Sequence, residues 1–82
     1  MGEIDYMAFL EDIVKMIISD EAEVKVEKKQ EGEDKVVLYL SVPSSERGKV
    51  IGKEGKTINA LRVLLKIMGA KNKERVGIDI VE

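Results

Sequence analysis

Two helix-type segments, separated only by Gly52-Lys53-Glu54-Gly55, lie between a strand that Pro43 stops and a closing strand at 76–81. Glycine reaches positive φ and lets other groups approach where a Cβ would stand. A turn this short folds the second helix back on the first. The strands that such a helical crossover joins then run parallel. In residues 36–42, Val36, Leu38, Leu40 and Val42 fall on one face and Val37, Tyr39 and Ser41 on the other. Apolar side chains on both faces mark a central strand. Pro43 cannot donate to a ladder and ends it.

Ser44 or Ser45 is the expected N-cap of a short helix reaching about Ile51. A second helix is expected from Lys56 or Thr57 to Met68, with Gly69 ending it and a basic loop over 70–75. Val76, Ile78 and Ile80 then alternate with Gly77, Asp79 and Val81 as a last strand. Upstream, Tyr6, Leu10, Ile13, Val14 and Ile17 recur at helical spacing within 3–18, with Glu3 and Asp5 suited to the first turn. Residues 23–29 alternate, Val24 and Val26 inward, and 30–35 form a hairpin loop around Gly32. The order α-β-β-α-α-β predicts an α+β domain: a three-stranded mixed sheet with its helices packed on one face.

At 82 residues the chain is expected to be a single domain over 1–82, near the lower limit for a self-sufficient core. It has no Cys and no His, which removes disulfides, the usual zinc ligand sets and a Cys–His or Ser–His pair. Neither a metal nor a cofactor is expected, and self-association remains as a source of extra stability. No apolar run approaches the ~18 residues of a membrane span. The expectation is a cytoplasmic protein without a membrane or small-molecule partner.

Charge is segregated along the chain. Residues 1–43 carry eleven acidic and five basic side chains, whereas 44–75 carry three acidic and nine basic. The net charge of −2 hides a basic half, and that half holds the glycine turn. A helix beginning at Lys56 or Thr57 aims its free N–H groups and positive dipole end at the turn, flanked by Lys53 and Lys56. These features suit a phosphate backbone, with Arg47, Lys49, Arg62 and Lys66 as further candidate contacts. The competing reading makes them ordinary solvated charges, and the loop cations Lys71, Lys73 and Arg75 fit that reading better. Gly55-Lys56-Thr57 also ends like a phosphate-binding loop of nucleotide hydrolases. That motif requires glycine where Val50 stands, and a preceding strand rather than a helix. No enzymatic activity is expected.

Val50-Ile51-Gly52-Lys53-Glu54-Gly55-Lys56, set between two helices in this element order, resembles the hallmark Val-Ile-Gly-x-x-Gly segment of a KH domain of the type II, prokaryotic topology. The resemblance spans essentially the whole chain and is greatest to the small stand-alone bacterial RNA-binding proteins of the KhpA type. It implies that Gly52, Lys53, Glu54 and Gly55 clamp the backbone of about four single-stranded RNA nucleotides, with bases in an apolar groove. Val50, Ile51 and Ile58 are then groove floor or core. One groove wall is expected from the two helices and their turn, the other from 23–29 and the loop 30–35. Glu54 places a negative charge in the clamp, and Glu31, Glu33 and Asp34 would repel phosphate.

The second helix adds a different signal. Asn59, Arg62 and Lys66 form a polar stripe, Ile58, Leu61, Leu64, Leu65 and Met68 a core face, and Ala60, Val63 and Ile67 a third side. That third side is read either as packing against the first helix or as a subunit interface. The resemblance implies a homodimer or a heterodimer with a larger KH-containing protein. Two functions stand: a single-stranded RNA-binding module, or a KH-fold interaction module with weak or no nucleic-acid contact.

Overall fold

A computed structural model describes residues 5–81. Helix α1, Tyr6–Ile17, is capped by Asp5, whose carboxylate accepts from the Ala8 N–H at 3.0 Å. Asp5 thus sits just before the first turn, and Glu3 lies outside the described residues. Tyr6, Leu10 and Val14 bury one stripe of α1. Strands β1, Lys25–Gln30, and β2, Lys35–Ser41, form the expected antiparallel hairpin, with Lys25 opposite Ser41. Helix α2, Ser44–Ile51, and helix α3, Lys56–Lys71, lead to β3, Arg75–Val81, which pairs parallel to β2 with Lys35 opposite Arg75.

The sheet order β1-β2-β3 puts β2 in the centre, as its two apolar faces require. Val36, Leu38 and Leu40 are completely buried beneath the helices, with Leu10, Val14, Val50 and Leu65 against them. Val37 is buried on the other face. The chain is therefore α+β in the expected order, with an aliphatic core.

Two boundaries differ from expectation for physical reasons. Pro43, not Ser44 or Ser45, occupies the cap position of α2. Its carbonyl accepts from the Glu46 N–H at 2.9 Å, and no side chain caps the helix. Gly69 does not end α3 but lies buried inside it, and the helix runs on to Lys71. A Cβ at Gly69 would stand 2.7 Å from both the Glu74 carbonyl oxygen and Val76 Cγ2. Glycine is needed there because β3 passes against the helix. The chain then reverses through Lys73 at φ 58, which shortens the expected basic loop.

Glu46, the one buried charged residue among the described residues, ties the end of α1 to α2. Its carboxylate accepts from the Ser19 N–H at 2.7 Å and from Lys49 Nζ at 3.2 Å. The Ser19 bond, then the Lys49 bond, hold its carboxyl below the ordinary glutamate value of 4.5 against the opposing effect of desolvation. A lowered folded-state value contributes stability that is complete above 4.5 and lost as pH falls through the lower value. Urea unfolding from about pH 6 to about pH 3 should therefore show Glu46→Gln well below the native chain at the upper end, converging on it at the acid end. A constant gap across that range would mean the Glu46 charge adds nothing to folding.

Candidate nucleic-acid interface

The geometry of the glycine turn separates the roles of its two glycines. Gly52 donates its N–H to the Gly48 carbonyl at 2.9 Å, closing α2. It then adopts φ 78 and ψ 172, a conformation essentially restricted to glycine. A Cβ there would lie 2.7 Å from Thr57 Cβ and 2.8 Å from the Thr57 nitrogen. Thr57 has folded over the position a side chain would fill. Lys53–Gly55 form one 3-10 turn, and the Gly55 N–H donates back to the Gly52 carbonyl at 3.1 Å. Glu54, at φ 57 and ψ 27, and Gly55, at φ 75 and ψ 13, are both left-handed. A Cβ on Gly55 would meet nothing closer than Asn59 Nδ2 at 3.8 Å. Gly52 is thus held by sterics as well as torsion, and Gly55 by torsion alone.

Helix α3 starts directly from this turn with no side-chain cap and no acidic residue in its first turn. The Lys56 N–H is taken by the Lys53 carbonyl of the preceding 3-10 turn, and the positive end of a 16-residue helix faces the bend. Lys53 and Lys56 are exposed beside it and form no ion pair with any described residue. Glu54 is exposed as well. Val50 is fully buried and Ile58 nearly so; of floor and core, both are core, and they anchor the ends of the two helices. Ile51 is half-buried against the same cluster. Lys49 is paired with Glu46, and Arg47 is half-buried with an Nε that finds no hydrogen-bond partner among the described residues.

The polar stripe of α3 leads away from the turn. Asn59 lies beside Gly55, and its Oδ1 accepts from Arg62 Nη1 at 3.0 Å. Arg62, Lys66 and Ala70 then form one wall of a groove of about 590 Å³, and residues 74–79 form the other. The wall opposite α3 is therefore β3, and the expectation that 23–29 would supply it is corrected. Strand β1 sits at the other edge of the sheet, beyond β2, and packs against α1. The hairpin loop does reach the groove, through Asp34 at the start of β3. Arg75 donates its N–H to the Asp34 carbonyl at 2.6 Å, and its Nη2 is 3.5 Å from Asp34 Oδ1. The alternation of β3 fits a strand with one covered face; that its free edge would line a groove is a matter of helix placement. Among the described residues no group of His, Cys, Asp or Glu could hold a metal ion, and no helix is long and apolar enough to cross a membrane.

The third side of α3 is open to solvent. Ala60 is exposed, and Val63 and Ile67 are exposed by 55% and 58%. They do not pack against α1. Leu64, expected in the core, is 42% exposed and joins them, completing an i, i+3, i+4, i+7 stripe over 60–67.

An α-β-β-α-α-β chain with a Gly-x-x-Gly turn between its last two helices is a KH domain of the type II topology. A family model described as the KH domain of KhpA/KhpB matches residues 7–80. Among similar proteins, one from Aquifex aeolicus is 40% identical over 80 residues, covering 93% of this chain and all of the relative. One from Chlamydia pneumoniae is 39% identical over 74 residues, covering 90% of this chain and 94% of the relative. One from Borreliella burgdorferi is 40% identical over 73 residues, covering 89% and 88%. All three bear the name RNA-binding protein KhpA. The chain belongs to the KhpA/KhpB family of KH domains.

The two glycines should respond differently to substitution. Gly52→Ala should lower unfolding free energy by on the order of 2–4 kcal/mol, from torsion and collision with Thr57 together. Gly55→Asn, which tolerates a left-handed backbone, should cost about 1 kcal/mol or less. Equal losses in denaturant titrations would contradict the steric distinction.

Proposed function

We propose that this chain is a non-catalytic, cytoplasmic single-stranded RNA-binding protein whose Gly52–Gly55 turn holds the RNA backbone. The observation that carries this reading is that the polar stripe of α3 runs from its uncapped start, through Asn59 bonded to Arg62, to a groove that bears Arg62 and Lys66 on one wall. Phosphates at the turn would meet helix N–H groups, Lys53 and Lys56, while bases enter the space between α3 and β3. The names of the relatives support RNA as the ligand. Glu54 weakens attraction at the turn, so Lys53 and Lys56 supply most of it. Lys49, already engaged by Glu46, contributes less than its sequence position suggests.

Fluorescence anisotropy with short unstructured RNAs at two salt concentrations tests this. Binding by the native chain should weaken with salt, each phosphate contact adding about 0.7 to the log–log slope for a single strand. A Lys53→Asp, Glu54→Asp double variant, folded by circular dichroism, should bind more than about tenfold more weakly, as the loss of one or two charge-assisted contacts implies. Equal binding by both proteins would move the site away from the turn.

The exposed stripe of α3 supports a second element of the proposal: a KH–KH interface, in a homodimer or with a larger KH-containing partner. An apolar stripe left in water on a domain this small is better explained by a covering subunit than by isolated surface residues. Val63→Glu and Ile67→Glu should each yield monomers in sedimentation velocity while changing the stability of the fold by about 0.5 kcal/mol or less, as for exposed sites. An unaltered sedimentation profile in a folded variant would remove the interface from this stripe. If RNA binding is absent as well, the interaction-module reading falls with it.

A further inference from the structure

The groove has unlike ends. At the turn, Lys53 and Lys56 have no acidic partner among the described residues. At the other end, where α3 finishes and β3 begins, the hairpin loop is docked on the strand. Asp34 holds Arg75 through both backbone and side chain, while the loop itself is closed by Glu31, whose N–H donates to the Lys35 carbonyl at 2.8 Å and whose Oε2 accepts from Tyr39 Oη at 3.2 Å. Arg75 lines the groove, yet its guanidinium already has a carboxylate 3.5 Å away, with Glu31 and Glu33 on the same short loop.

We propose that the Asp34–Arg75 pair is the far boundary of the RNA footprint: the acidic hairpin neutralises the last groove cation, and the bound strand stops making backbone contacts there. This rests on the RNA-binding reading above and adds to it the length of strand that the groove accepts. An incoming phosphate at Arg75 competes with Asp34 for the guanidinium, on a loop that also carries Glu31 and Glu33, so the contact gains less than one at an unpaired cation. Lys53, Lys56, Arg62 and Lys66 form no ion pair with a described carboxylate, although Glu74 and Asp79 also line the groove. A strand anchored at Gly52–Gly55 therefore gains from about its first four nucleotides, and further nucleotides leave the groove unheld. Asp34 sets footprint length without contacting RNA, and Arg75 is a groove residue kept out of use.

Anisotropy with unstructured RNAs of about four and about eight nucleotides, the span of one and two KH footprints, reads this directly. The native chain should bind the two lengths within about twofold once the number of registers is allowed for, with the same salt slope. Asp34→Asn, which keeps the shape and the backbone bond to Arg75, should strengthen binding of the longer RNA by about three- to tenfold and steepen its salt slope by about 0.7, one added phosphate contact on a single strand. The shorter RNA should be unaffected. In an Arg75→Gln background the same Asp34→Asn change should give no gain, which separates release of Arg75 from a general loss of negative charge. If the native chain and Asp34→Asn show the same length dependence and salt slope, the boundary proposal is overturned while the RNA reading stands. If neither binds either RNA, both are overturned.

Discussion

The backbone conformation of Gly52 is the constraint on which the rest of this molecule depends. Helix α2 must end, and α3 must begin after four intervening residues, with both apolar stripes still over the same sheet face. Gly52 at φ 78 and ψ 172 begins that reversal, the left-handed Glu54 and Gly55 complete it, and Thr57 closes over the vacancy left by the missing side chain of Gly52. Because α3 then returns along the sheet, β3 emerges beside β2 and parallel to it. The same reversal leaves the start of α3 without a cap. What makes the fold possible thus also leaves the positive end of a 16-residue helix at the surface with no side chain over it.

Packing at the other end of α3 completes the groove. Gly69 lets the helix approach β3 so closely that a methyl group would collide with backbone and side chain alike. Tyr6 adds a tie from α1, donating to Glu74 Oε1 at 2.9 Å and accepting from Asn72 Nδ2 at 3.0 Å. Glu46 plays the corresponding part between α1 and α2. The groove is therefore held at the α3–β3 connection by polar contacts to α1. Its basic residues project from a rigid frame rather than from loops, which favours precise placement of a ligand.

Much of this is legible in the sequence itself. The two-sided apolarity of β2, the hairpin, the paired glycines and the polar stripe of α3 are local patterns with fixed periods, and local patterns survive folding. What was hidden depends on where two distant segments meet. Gly69 has the appearance of a helix stop, because the strand that requires it is seven residues away in sequence and overhead in space. Leu64 is apolar at a position one step past the core arc, and only the tilt of the helix decides its exposure. The second groove wall was misplaced for the same reason: alternation shows that 76–81 is a strand but not which of its edges is free. Pairing of Asp34 with Arg75 spans 41 positions and leaves no periodic trace.

Helix α3 has no idle side. Its core arc holds the sheet, its polar stripe borders the groove, and its apolar stripe stands in water, so that sixteen residues cover the full circumference with different duties. For a surface helix this leaves almost no room for silent change. Most helices can drift on their outward face, because solvent accepts nearly any polar side chain. Here a drift to polar residues on the outward face would erase the exposed apolar stripe, and a drift to apolar ones on the flank would strip the groove of its charge. The tolerance of the molecule to substitution is pushed instead onto α1 and β1, whose outer positions border neither surface.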